Sequence, residues 1–364
     1  MTVVNTFGIP VMQPQVSGVP RLAYITGTPL CPWRYRGHER LYVPVDETEE
    51  AFRHFRGRFG DINMLVRSGH VVVVDGVEGS GKTSLIHRCV HDLRTRLAAE
   101  LGHPAEDPGD ETGLWHPRPA VPGICVIDLS GDARKVAFDN KSQLHPLETI
   151  NHNIFKRVLI GVRERFPGDA TELAELAGDT RSSLVELYQR LRDFLDDRQL
   201  FALVILPYIR LGSKEMHGNF LLSYVTFSER RMVFFAETTE PDLMDTVRLS
   251  LTWEEENLVT ALSIGPLKDK DSESFVNVWQ GRPGLTQPHV IISPETVAEV
   301  SPEIHFQRVR WLQNSLFQLG EIVCRAGRLE ISDHDVRALS EQRRSSPELI
   351  RRPRSRRGRG RDER

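Results

Sequence analysis

Along the chain, short unbroken apolar runs alternate with longer stretches in which apolar residues recur every three or four positions. The runs are Val71 to Val74, "ICVIDLSG" (124–131), "LFALVIL" (200–206), "MVFFAE" (232–237) and "VTALSI" (259–264). Runs of this length without polar alternation suit strands buried on both faces, as in a parallel sheet. Between them, Leu85, Ile86, Cys89, Val90, Leu93 and Leu97 mark one helical face. Leu147, Ile150, Ile154, Val158, Leu159 and Val162 mark a second, opened by Pro146 at a first-turn position, and Leu184, Leu187, Tyr188, Leu191 and Leu195 mark a third. Five strands separated by helices predict an α/β fold with a parallel sheet between helical layers.

The two ends read differently. Residues 1–38 are rich in proline and glycine without clear periodicity, which predicts an extended or mobile arm. "RLYVPVDETEEAFRHFRGRF" then gives a short strand-like run and a helix, and the breaker-rich stretch 102–123 reads as a long loop. From Pro266 the pattern turns wholly helical. Phe275, Val276 and Trp279 belong to one segment and Trp311, Leu312, Leu316 and Leu319 to another, and Ser332 with Asp335 resembles a capping box opening a last helix. The expected parse is an arm (1–38), an α/β domain (39–265), a helical domain (266–342) and an Arg-rich tail (343–364).

Charge alters this picture at one place. The net charge of -3 over 364 residues conceals ten arginines and three acids between Arg343 and Arg364, so a tail of +7 follows a body of -10. The tail lacks the apolar residues needed to fold alone and the aromatics of a base-stacking platform. It reads either as an electrostatic contact for nucleic acid or an acidic partner, or as a solubilising end. Cys31, Cys89, Cys125 and Cys324 form no C-x-x-C pair, which argues against a disulfide framework or a zinc site and fits a reducing, cytoplasmic setting. No apolar run approaches the ~18 residues that cross a bilayer, so no membrane partner is expected. No secretory signal is apparent at the start.

The chemistry concentrates in "GVEGSGKTS": Gly76, Val77, Glu78, Gly79, Ser80, Gly81, Lys82, Thr83 and Ser84. The spacing G-x-x-x-x-G-K-T follows a predicted strand and precedes a predicted helix, the context in which glycine-rich backbone cradles phosphates. Successive N–H groups and the helix N-terminus supply the donors. Lys82 is expected to reach the β- and γ-phosphates and the Thr83 hydroxyl to ligate Mg²⁺. Glu78 is expected to point to solvent, because a carboxylate turned inward would repel phosphate. His87 and His91, four apart on the following helix, have no third ligand and read as a solvated face.

This layout resembles the AAA+ class of P-loop ATPases, particularly the origin-recognition type and the related signal-transduction ATPases. The resemblance covers roughly residues 40–340. It implies a P-loop core with a parallel five-stranded sheet flanked by helices, followed by a small helical lid, with ATP and Mg²⁺ bound between them. In "RWLQNSLFQLGEI" (310–322), Arg310 matches the lid arginine called sensor 2, with Arg308 as an alternative. In "FFAETT" (234–239), Thr238 matches the polar sensor 1. One departure matters: Pro207 and Tyr208 stand where the Walker B strand normally ends in Asp-Glu, the acids that support Mg²⁺ and orient the attacking water. Asp128 fills that role only if its strand lies beside the phosphate-loop strand, and otherwise merely ends a strand at the sheet edge. Glu237, which ends another strand, is the second candidate catalytic acid. The resemblance therefore implies an ATP-binding regulatory switch with weak or partner-dependent hydrolysis, working with a protein partner or a further copy of itself. A nucleic-acid-associated protein with a structural nucleotide, and an active ATPase motor using Asp128 or Glu237, are the alternatives. ATP is preferred over GTP on the resemblance, since no N-K-x-D motif is present.

Overall fold

The computed structural model describes residues 3–13, 21–45, 47–103, 115–179, 181–268, 270–282, 288–293, 295–297 and 308–345. Its centre is a five-stranded parallel sheet built from β3 (His70–Asp75), β4 (Ile124–Asp128), β5 (Phe201–Ile205), β6 (Met232–Thr238) and β7 (Val259–Ser263), in the order β4-β5-β6-β3-β7. The five apolar runs are these five strands. Because side chains alternate across a strand, β3 sends Val71 and Val73 into one core and Val72 and Val74 into the other. The first core is covered by the helices Leu147–Arg165, Leu184–Asp197 and Lys214–Phe227, the second by Thr48–Arg58 and Lys82–Glu100. Burial on both faces explains why these strands carry no polar alternation.

A third core lies C-terminal to the sheet. The helices Asp271–Gln280, Val309–Arg325 and Asp333–Ser345 bring Phe275, Trp279, Leu312, Leu316, Leu319 and Val336 together. This layer is not wholly helical. Strand β8 (Ile291–Ile292) pairs in parallel with β9 (Glu330–Ile331) just before the last helix.

The opening segment departs further from expectation. In place of a free arm, β1 (Ile9–Gln13) and β2 (Arg21–Ile25) form an antiparallel pair with Ile9 opposite Ile25. Phe7, Ile9 and Val11 are buried in the same core as the C-terminal helices. Asn5 Nδ2 donates to Phe317 O at 2.8 Å, and Arg282 donates to Gly8 O at 2.8 Å. A side chain at Gly8 would stand 2.7 Å from Tyr24 Cβ and 2.9 Å from the Phe317 ring, so only glycine allows this close approach. The strand-like run near residue 40 forms no strand: its start lies in a 3-10 turn, His38–Leu41, and residues 42–45 follow in no regular element. The last helix ends at Ser345, and the Arg-rich stretch from 346 onward lies outside the described residues. Among the described residues no helix is long and apolar enough to cross a membrane.

Candidate nucleotide-binding site

Strand β3 ends at Asp75, and the chain turns through Gly76 to Gly81 into the helix Lys82–Glu100. Two glycines make this turn feasible. A Cβ at Gly76 would lie 2.8 Å from the Ile264 carbonyl oxygen, and Gly81, the N-cap, has φ of 100°, a conformation that side chains resist. The Lys82 ammonium donates to the Gly76 and Val77 carbonyls at 2.8 and 2.9 Å, so it lies inside the turn. Burial lowers the Lys82 pKa against the opposing pull of Glu237 and Asp75, and burial raises that of Asp75.

A cavity of about 840 Å³ opens above the loop. Its floor is Gly79, Gly81, Lys82, Thr83 and Ser84, with Glu78 at its margin; Tyr208, Arg210, Glu237 and Thr239 come from the sheet side, and Arg310 and Gln313 from the helical layer. Thr83 Oγ1 donates to Glu237 Oε2 at 2.8 Å. The strand order explains this contact: β6 lies directly beside β3, with Glu237 level with Val74. The Tyr208 and Thr239 hydroxyls share a hydrogen bond of 2.7 Å. The Arg310 amide donates to Gly79 O at 3.1 Å, tying the start of the Val309–Arg325 helix to the loop.

A second cavity of about 560 Å³ adjoins the first and shares Thr28, Gly81, Ser84, Val309 and Gln313 with it. Its walls are mostly apolar, among them Ile9, Val43, Leu85, Phe275 and Trp279. The Ser80 hydroxyl and the Gln313 side-chain nitrogen are buried on these walls without a hydrogen-bond partner among the described residues. A polar, cationic cavity joined to an apolar one fits a phosphate-bearing cofactor.

The sequence-based candidates separate at this point. Glu78, Gly79, Ser80, Gly81, Lys82, Thr83, Ser84, Glu237 and Arg310 line one or both cavities, whereas Gly76 and Val77 lie in the turn behind them, their carbonyls accepting from Lys82. Asp128 is not. Its strand, β4, is the sheet edge, with β5 and β6 between it and β3. Its carboxylate accepts from Ser130 N and Oγ at 3.1 and 2.6 Å and faces Arg34 at 3.7 Å, so it caps a turn. Thr238 is also displaced: it is buried, and its Oγ1 accepts from the Glu240 amide at 3.1 Å. Alternation along β6 turns Glu237 and Thr239 toward the cavity instead. Arg308 caps the helix, with its guanidinium 5.8 Å from the Trp311 ring centre. His87 is not solvated; it is buried and accepts from Trp33 Nε1 at 2.9 Å. No cluster of metal-ligating side chains occurs among the described residues. The sequence reading missed Tyr208 as a cavity residue, and also Arg210, Thr239 and Gln313. Their common signal was position, since each follows a strand end or opens the helical layer.

A glycine-rich loop running from the fourth of five parallel strands into a helix, with a helical layer tied to that loop, defines a P-loop nucleotide-binding fold of the AAA+ class. In fold it is similar to solved proteins of the origin-recognition type. The Aeropyrum pernix ORC2 protein, solved as ADPNP-ADP complexes, is similar at 12% identity and a TM-score of 0.52, over 88% of this chain and 76% of that one. The Aeropyrum pernix ORC1 protein in complex with DNA is similar at 15% identity and a TM-score of 0.50, over 88% and 74%. No family model and no curated protein matches the chain.

Proposed function

We propose that this protein is an ATP-dependent regulatory switch that holds its nucleotide far better than it hydrolyses it. The observation that carries the reading is the carboxylate inventory of the phosphate cavity. Among its described lining residues the only acids are Glu78 and Glu237; Glu78 is paired with Arg210, and Glu237 accepts from Thr83. One carboxylate beside the metal-ligating hydroxyl supports Mg²⁺, and a second to orient water is absent from that lining. Pro207 and Tyr208 occupy the usual places of both acids, and the Tyr208 hydroxyl is held by Thr239.

In this reading the amides of the loop and Lys82 bind the phosphates, and the adjoining apolar cavity takes the adenine. Thr83 and Glu237 would hold Mg²⁺, which would supply positive charge against the phosphates. Arg310 senses the γ-phosphate from the helical layer, so the position of that layer reports the nucleotide to a partner protein or a second copy. Such a report requires the two positions to differ in ATP affinity. The Arg-rich stretch beyond Ser345 supplies an electrostatic contact for nucleic acid, a reading that the DNA complex of the similar ORC1 protein makes worth testing.

Calorimetry and turnover measured together test the proposal. Wild type should bind Mg-ATP and hydrolyse it at about 10⁻⁴ to 10⁻³ per second, the range of P-loop proteins lacking their activating group. Lys82→Ala should abolish or greatly weaken binding. Brisk turnover by the isolated protein, or unchanged ATP affinity in Lys82→Ala, would overturn it.

A further inference from the structure

Glu78 and Arg210 meet across the mouth of the phosphate cavity. Glu78 belongs to the loop that carries the phosphate-facing amides, whereas Arg210 lies on the segment leaving β5, 132 positions away in sequence. Arg210 Nη2 donates to Glu78 Oε2 at 2.8 Å, and both residues line the cavity. The side chains are 72% and 57% exposed. Two features of this pair need explaining. A carboxylate on the phosphate loop opposes the ligand the loop is built to take, so neutralising it has a purpose. Yet an ion pair this exposed is weak and exchanges readily.

Both features are accounted for if the pair is a place-holder. We infer that Arg210 reads the terminal phosphate of a nucleoside triphosphate, and that Glu78 is its resting counter-ion, displaced when that phosphate arrives. The inference rests on the nucleotide-binding reading above and adds a specificity residue to the same site. The planar guanidinium fork suits phosphate oxygens, and a terminal phosphate offers more charge and more acceptors than one carboxylate. Arg210 stands on the sheet side beside Tyr208, opposite Arg310 on the helical side. A triphosphate therefore enters between two arginines, one already placed and one carried by the helical layer. A diphosphate lacks the group for which Arg210 leaves Glu78, so the pair remains closed over it. The exchange gives the protein a means of telling ATP from ADP that is independent of hydrolysis.

The competing explanation is that Arg210 only neutralises Glu78. Binding of ATP and of ADP by wild type, Arg210→Ala, Glu78→Gln and the double variant separates the two. The exposure of both side chains leaves the fold intact in each, which thermal unfolding checks. Arg210→Ala should weaken ATP binding by about tenfold more than ADP binding, the effect of one charged hydrogen bond; ADP loses only through the charge uncovered on Glu78. Glu78→Gln, which removes the competitor, should strengthen ATP binding and not ADP binding. The deciding comparison is Arg210→Ala within the Glu78→Gln background: a reader of phosphate still loses ATP affinity there, whereas a mere neutraliser loses nothing. Disappearance of the loss, or equal losses for ATP and ADP, would overturn the inference while leaving nucleotide binding intact. Failure of wild type to bind either nucleotide would remove both readings together.

Discussion

The most informative perturbation is Glu237→Gln. The substitution preserves shape and leaves an amide oxygen to accept from Thr83, so the 2.8 Å contact survives while the negative charge is lost. Glu237 is half-buried, and the only other carboxylate among the described cavity residues is committed to Arg210. Among the described lining residues no other carboxylate is free to replace the missing charge. A hydrogen bond to a charged group contributes about 1.5–3 kcal/mol, equivalent to about 10- to 100-fold in affinity. The loss should fall on the metal-dependent part of binding alone. Titrating ATP in the presence of Mg²⁺ and again with a chelator gives the metal's enhancement as a ratio. That ratio should fall by about 10- to 100-fold in Glu237→Gln, while the chelated affinity stays within about twofold. An unchanged ratio would show that Glu237 has no part in holding the metal. If wild type instead turns over at about 1 per second or faster and Glu237→Gln stops it with ATP still bound, Glu237 is a catalytic base and the switch reading fails.

Arg310→Ala should lower ATP affinity more than ADP affinity in the same calorimeter; equal losses would leave Arg310 a structural role at the loop. Phe7→Ala empties a fully buried site between the N-terminal strand and the C-terminal helices, and should cost about 3–5 kcal/mol in denaturant unfolding. A loss below about 1 kcal/mol would mean that the hairpin is not part of that core. Stability should also fall in acid. Burial holds His38 and His87 at about 4 and His70 at about 3, against 6.5 for a free imidazole. The native state therefore favours neutral rings: their contribution is complete above about pH 6.5 and is lost as pH falls toward 4, on the order of 3 kcal/mol for His38. Urea midpoints that stay constant from about pH 7 to about pH 4.5 would contradict this.

The strands and the phosphate loop were legible because their signals are local. Val71 to Thr83 carries a buried strand, a turn and a helix start within thirteen residues, and each step follows from nearest-neighbour constraints. Sheet order is a different kind of information. Asp128 and Glu237 both end apolar strands and look equivalent in sequence; only the adjacency of β6 to β3 brings Glu237 to Thr83 and leaves Asp128 at the edge. A shift of one residue separates Thr238 from Thr239, and alternation along β6 decides which of them meets the cavity. The N-terminal hairpin escaped because proline and glycine dominate its neighbourhood, while the residues that bury it lie at the far end of the chain. Periodicity within a segment cannot report partners 300 positions away.

That separation also sets a timetable for synthesis. Asn5 waits for Phe317, 312 positions later, and at cellular elongation rates of about 5–20 residues per second the interval is roughly 15–60 s. The sheet and its flanking helices are complete once Ser263 has been made, so the phosphate loop can form while Phe7, Ile9 and Val11 still lack the helices that cover them. Ile9 is also a wall of the apolar cavity, together with Phe275 and Trp279. The nascent chain thus acquires its glycine-rich loop well before the apolar cavity beside it is walled, and β1, made before the whole sheet, is among the last strands to find its place.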